Sequence, residues 1–461
     1  MADQLLVRAY NVGCGDCIYV RIPGEKDSFH ILIDCGKKGD DRLLKQAIDH
    51  LKTELPAGKG AGKKRLDLIV ATHRHEDHIK GFDADWFNDI EVRNVWLSVA
   101  MDPKHPQAEG VRKARKLAGD TMRGLVASGR ALSPEVEALA ALYPVSNDDA
   151  DDLLMKKIPA ANKIKPKFVY SGMTPKQLGL TLPEDTAIHV LAPEWNVDGY
   201  YLGKDADATL RGLDGFNQML GATAEAQATP GNISITDFES LQTRMISNGL
   251  AFAAKESSIQ NNLSVVLLIE WKNRRLLFVG DAEWEGEYGK GKHNGSWNVM
   301  WEKHQKTHLS KPVDFLKVGH HGSTNATPHP PSMRPKSKKE TPDGVYSILD
   351  TILPVPAGKK PTAKALVSTE REFYNPIPEC ELLVDLAQRV SNTRNYGKSL
   401  RKAGLNPETD IWKSPKAKRY GFYEHYEKDF LEQPQPWRTD LEGVLDEGKK
   451  GYVEVTIEAG G

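Results

Sequence analysis

Residues 66–78 read Leu66-Asp67-Leu68-Ile69-Val70-Ala71-Thr72-His73-Arg74-His75-Glu76-Asp77-His78. The first half is an apolar run of the kind buried inside a sheet. Immediately past its end, three imidazoles and a carboxylate fall within six residues. Imidazole and carboxylate together suit zinc and neighbouring first-row metals. His73 and His75, two apart on a turn, can point the same way. Asp77 and His78 enter a following helix, whose N-terminus favours a carboxylate. With 14 histidines in 461 residues, such a cluster is improbable by chance, so the stretch predicts a metal site at a strand end.

The same layout recurs along the chain. Leu277-Phe278-Val279-Gly280-Asp281 delivers a carboxylate past an apolar strand, and Phe315-Leu316-Lys317-Val318-Gly319-His320-His321 delivers two imidazoles into a Gly-flanked turn. One strand-end aspartate is a turn former as readily as a ligand; the repetition gives it weight. Asp34 ends the strand His30-Ile31-Leu32-Ile33. There it is placed to accept the second ring N–H of a metal-bound histidine and orient it.

The remaining pattern alternates strand and helix signals. Strands are expected over 5–11, 17–22, 30–34, 66–71, 187–191, 263–271, 274–279, 313–318, 364–368 and 451–457. Helices are expected over 40–55, capped by Asp40 or Asp41, and over 109–142 and 379–390. Asn273 marks a tight hairpin turn. Residues between 191 and 263 read as a polar connection, and 328–361 as an exposed loop. The Gly/Lys segment 56–65 fails the spacing of a phosphate loop and precedes a strand instead of following one.

Composition bounds the function. A chain with 39% hydrophobic and 27% charged residues can bury a sizeable core. The 62 basic residues against 63 acidic ones exclude a uniformly basic nucleic-acid-coating protein. No apolar run approaches the ~20 residues that span a bilayer, so no membrane association is expected, and no signal peptide is read at the start. Four cysteines in this length do not make a disulfide scaffold, which fits a reducing cytoplasm. Cys14-x-x-Cys17 lacks a second ligand pair and reads as two small residues at a loop–strand junction.

With these motifs in hand, the chain resembles the metallo-β-lactamase superfamily: His73-x-His75-x-Asp77-His78, with Asp34 upstream and Asp281 and His320 downstream. The stretches Asn11–Cys17, Asn261–Ser264, Val279–Glu283 and Lys317–Ser323 are similar to the hydrolase domain of competence-type (ComEC-like) DNA-uptake proteins, and 366–376 resembles that branch's closing motif. The resemblance implies an α/β fold, an αββα sandwich, over a single domain spanning 1–461. Insertions would lie near 101–160 and 196–255, and a C-terminal extension near 391–461. It implies metal ligands His73, His75, Asp77, His78, Asp281 and His320, with His321 as the alternate ligand or a substrate contact. Asp34, Asp16 and Asn262 would support them. Three positions depart from the family pattern. No motif supplies the further histidine many members carry, since the intervening His105 and His189 sit in none; Cys14 replaces a glutamine; and Asn375 stands where a histidine is common.

The expected cofactor is Zn2+, one or two ions, with Mn2+ as the other candidate. A metal of this kind lowers the pKa of bound water towards ~7. Asp77 would position the nucleophile, and His321 or Lys317 would stabilise developing negative charge. The expectation is a metal-dependent phosphodiesterase or nuclease whose partner is nucleic acid or a small phosphodiester; a protein partner is not identified. Hydrolysis of another ester class, lactone or thioester, uses the same metal set. A non-catalytic binding module with an incomplete site is the alternative from another class. Basic runs at 59–65, 334–339 and 413–419, the last beside Trp412 and Tyr420, are candidates for a nucleic-acid surface.

Overall fold

The computed structural model describes residues 4–38, 41–127, 132–140, 142–143, 150–203, 235–286, 288–323, 325–328, 347–370, 377–392 and 438–460. Fourteen strands lie among them: β1 Gln4–Tyr10, β2 Cys17–Ile22, β3 Phe29–Cys35, β4 Lys64–Leu66, β5 Leu68–Ala71, β6 Ile90–Val92, β7 Val95–Ser98, β8 Lys167–Val169, β9 Thr186–Ala192, β10 Val266–Trp271, β11 Arg274–Phe278, β12 Phe315–Val318, β13 Lys364–Val367 and β14 Tyr452–Glu458. Seven form one sheet in the order β14-β1-β2-β3-β5-β7-β8, and five form another in the order β13-β12-β11-β10-β9.

Alternation along the strands decides the layers. Ile31, Val70, Ile269, Phe278 and Phe315 share a core to which both sheets contribute. The opposite face of the larger sheet, with Leu32 and Ile69, packs with Leu44, Ala47, Ile48 and Leu51 of the helix Arg42–Glu54. The outer face of the smaller sheet, with Leu268, Leu277 and Leu316, packs with Trp297 and Met300 of the helix Ser296–His304, together with Ile348, Leu382 and Leu386. The architecture is therefore the expected αββα sandwich. A further cluster joins the helices Glu109–Ala127 and Ile235–Asn262 through Ala114, Ala118, Met122, Phe252 and Ile259.

Strand direction places the site. β3 and β5 run parallel, as do β11, β12 and β13. Their C-terminal ends carry the motif residues, the usual position for ligands in α/β sheets. The β10–β11 hairpin turns through Lys272 and Asn273 at φ 42° and 61°. Two successive left-handed residues are what a two-residue type I′ connection demands, as Asn273 suggested.

Three local expectations are corrected. The strand expected at 66–71 is two strands, broken at Asp67, whose carboxylate accepts the His30 N–H (3.0 Å) and meets Arg93 (3.1 Å). Asp41 stands at the N-cap of its helix without a side-chain capping bond; its carboxylate lies 3.2 Å from the Lys80 ammonium instead. The connection read as polar before residue 263 contains the 28-residue helix Ile235–Asn262. Its apolar stripe is diluted by Ser, Thr and Asn, residues whose side chains compete with the helix backbone. Segments 334–339 and 413–419, Trp412, Tyr420 and Asn375 lie outside the described residues. No helix among the described residues is long and apolar enough to cross a membrane.

The inter-sheet core sets stability. The rings of Phe278 and Phe315 meet at 5.4 Å between centroids, and both are buried. Phe278→Ala is expected to cost about 3–5 kcal/mol, as truncation of a buried aromatic does. Urea unfolding of metal-free protein measures it, and a loss below ~1 kcal/mol would show that the two sheets share no tight core there.

Candidate metal centre

Asp34 organises the motif around it. It takes φ 55°, a left-handed conformation that aspartate adopts more readily than most side chains. From there Oδ1 accepts the Thr72 backbone N–H at 2.7 Å, and Oδ2 accepts the Thr72 hydroxyl at 2.7 Å. Oδ2 also lies 2.7 Å from His78 Nδ1. One buried carboxylate thus fixes both the start of the His-rich turn and the ring after it. Gly36 makes this approach possible, since a Cβ there would fall 2.2 Å from the His78 nitrogen.

The other strand ends complete the centre. Asp281 follows Gly280, at φ 53°, and its N–H donates to Ser264 Oγ at 3.0 Å. His320 and His321 both take positive φ, 41° and 54°. The left-handed turn sends the neighbouring rings in different directions. His321 Nδ1 donates to the Ser368 carbonyl at 3.0 Å, past the end of β13, and Nε2 lies 3.2 Å from Asp77 Oδ2. His320 Nδ1 lies 3.4 Å from Glu283, its Nε2 stands 4.0 Å from Asp281, and its side chain is 27% exposed.

Two groups of donor atoms are close enough to hold an ion and share one carboxylate. The first is His73, His75 and Asp281; the second is His78, Asp281 and His321. His73 Nε2 lies 3.0 Å from His75 Nδ1 and 3.8 Å from Asp281 Oδ2. His78 Nε2 lies 3.1 Å from Asp281 Oδ2. Asp77 groups with His321 and Cys14, and Asp16 with Asp34 and His78. His320 enters none of these groups.

The electrostatics separate the histidines. Burial pushes His75 down to about 3 and His73 well below the usual imidazole range, the neighbouring imidazoles adding to the effect on His73. Both rings are therefore neutral, with lone pairs to offer. Burial also opposes charge on His78, but Asp281 and Asp34 at its two nitrogens hold it well above the usual range. Burial works to raise the Asp77 and Asp281 carboxyls; Lys38 and His321 outweigh it at Asp77, and His78 and His320 at Asp281, so both stay ionised. Burial pushes the Cys14 thiol up, which makes it a poor thiolate ligand.

The residues present fit a first-row divalent metal. His75 Nε2 and Asp77 Oδ1 are buried polar atoms with no hydrogen-bond partner. Orphaned buried polar atoms are rare in native proteins and point to a missing ion or water. Here the donors are imidazole and carboxylate, the set that zinc and its neighbours take.

Other expected residues have different partners. Asp16 Oδ2 accepts from Lys317 Nζ at 3.1 Å, and that buried ammonium also donates to the Val318 carbonyl at 2.8 Å. Asn262 Oδ1 accepts from the Glu283 N–H (3.0 Å) and the Ser296 N–H (2.6 Å), bracing the turn after Asp281. His189 pairs with Glu270 at 3.1 Å on β10, and His105 accepts the Gln107 N–H at 3.2 Å; neither reaches the centre. The basic run 59–65 precedes β5, at the strand end opposite the ligands. Sequence reasoning missed Lys38, whose ammonium lies 3.2 Å from Asp77 Oδ2. A lysine inside Gly36-Lys37-Lys38-Gly39 reads as a surface loop, and nothing local marks Lys38 as 6% exposed.

His75→Ala is expected to strip the metal, because it removes a donor from the first group. Asp34→Ala should instead weaken metal affinity about 10–100-fold, the usual cost of losing an orienting partner. His320→Ala should leave metal content near normal. Elemental analysis and competitive chelator titration of the three variants check this; full metal loss in Asp34→Ala would make Asp34 more than an orienting group.

A family model described as Metallo-beta-lactamase superfamily matches residues 11–86. That span holds β2, β3, β5, Asp34 and the whole His73–His78 motif. No curated protein matches the chain. The match is thus confined to residues 11–86 and is to a superfamily whose members are mostly metal-dependent hydrolases.

Proposed function

We propose that this chain is a metal-dependent phosphodiesterase, a nuclease or a hydrolase of small phosphodiesters, working with Zn2+ or Mn2+. The observation that carries the reading is the pair of donor groups sharing Asp281 at the C-terminal ends of three strands. A divalent ion held there supplies Lewis acidity and makes hydroxide available at neutral pH.

The chain's own residues supply the rest. His73, His75 and Asp281 give three protein donors, the number that leaves a catalytic zinc an open position. Asp34 holds the His78 ring by its Nδ1 and leaves Nε2 facing Asp281. Asp77 Oδ1, buried and without a partner, is positioned to accept a proton from an attacking water. The Ser368 carbonyl fixes the His321 tautomer. Glu283 engages His320 from behind, leaving the partly exposed ring at the rim, where it can contact substrate.

The choice of phosphodiester rests on the likeness of the 11–17, 261–264, 279–283 and 317–323 motifs to the competence-type hydrolase domain. Buried, unlinked Cys14, Cys17 and Cys35 are in keeping with a reducing compartment. The helical segments near 101–160 and 196–255 we read as insertions within one hydrolase domain.

Purified protein reconstituted with zinc or manganese should hydrolyse bis-p-nitrophenyl phosphate or single-stranded oligonucleotide. Asp281→Ala should abolish that turnover, a loss of at least ~100-fold. Turnover confined to lactone or thioester substrates would replace the phosphodiester assignment while keeping the metal hydrolase. No turnover in a metal-loaded protein across all three classes would refute the enzyme reading.

A further inference from the structure

We propose that the Lys38 ammonium fills the second cation position of this centre, so that the chain holds a single divalent ion, on His73, His75 and Asp281. The inference rests on the metal-hydrolase reading above and narrows it.

Lys38 is buried, and its Nζ lies 3.2 Å from Asp77 Oδ2. His321 Nε2 approaches the same oxygen at 3.2 Å. One Asp77 oxygen thus faces both an ammonium and the ring of His321, a member of the second donor group. A divalent ion on that oxygen would sit within a few ångströms of a like charge in a buried pocket, where repulsion is strong. The first group, His73, His75 and Asp281, converges without Asp77.

The charges at the centre agree. Asp16 is matched by Lys317 at 3.1 Å, Glu76 by Lys80 at 2.7 Å, and Glu283 faces His320 at 3.4 Å. Lys37 and Glu370 crowd the same point beside Gly13, each 2.7 Å from where a Cβ would lie. Three carboxylates remain: Asp34, Asp77 and Asp281. Lys38 offsets Asp77, and His78 lies between Asp34 and Asp281. Removing the ammonium leaves room, in charge and in space, for a second ion. Unbalanced buried charge is costly, so an ammonium on Asp77 disfavours a further dication beside it.

Metal stoichiometry tests it without reference to turnover. Native protein is saturated with Zn2+, freed of excess by gel filtration and assayed by elemental analysis. About one ion per chain is expected, rising to about two in Lys38→Met and staying at about one in Lys38→Arg, which keeps the charge. In Lys38→Met/His321→Ala the count should return to about one, because the second position loses one of its two imidazoles. Calorimetric titration of native protein gives the same answer should Lys38→Met fold poorly: one binding event at about one equivalent. Two ions in native protein, or one in well-folded Lys38→Met, overturns the role of Lys38 and leaves the hydrolase reading standing. No ion in native protein after reconstitution overturns the hydrolase reading itself.

Discussion

The contact on which the centre depends is the Asp34 carboxylate meeting Thr72 and His78. It is fully buried, and it spends its oxygens on a backbone N–H, a hydroxyl and an imidazole. The first two bonds fix where β5 releases the chain; the third fixes a ring six residues later. A buried carboxylate is tolerated only when its lone pairs are satisfied. Geometry at this point is therefore over-determined, which is the condition under which a left-handed φ at a non-glycine residue persists. The same logic applies at His320 and His321, where two further left-handed residues lie against the Asp281 turn. Strain of roughly 1–3 kcal/mol per residue is typical of such positions. Both sheets supply the packing that holds it.

The sandwich gives that constraint its reach. Parallel β3 and β5 in one sheet, and parallel β11, β12 and β13 in the other, end on the same edge. Residues far apart in sequence arrive as neighbours there: His321 contacts Asp77 across 244 positions, and Lys317 contacts Asp16 across 301. The rigid inter-sheet core keeps these approaches to within hydrogen-bond distances. Preorganised donors of this kind need little rearrangement to take an ion, and so lose little free energy on binding it.

Helical segments outside the sandwich are tied to the same edge. Arg74, between the two histidines of the motif, donates to the Met101 carbonyl at 3.1 Å and meets Asp151 at 3.2 Å. Asn261 and Asn262, at the end of the long helix, hold Glu283 and the turn after Asp281. These segments therefore buttress the loops of the candidate centre from outside the sandwich.

The sequence by itself determined the four strand-end motifs and their donor types, and the sandwich was implied by the family those motifs resemble. These are local properties: periodicity selects strands, and an imidazole–carboxylate cluster selects a metal. The Lys272-Asn273 turn was legible for the same reason, because its backbone requirement lies within two residues. Only the tertiary structure decided between neighbours. His320 and His321 are equivalent on the page; the left-handed turn and the Ser368 carbonyl turn one inward toward Asp77 and leave the other beside Glu283. Lys38 was illegible for a related reason. Its burial and its carboxylate partner arise from the β3 end passing against the helical turn of Asp77, a contact between segments that sequence spacing does not encode. The helix Ile235–Asn262 escaped because its polar residues mask its periodicity, and packing on Glu109–Ala127 supplies what propensity does not.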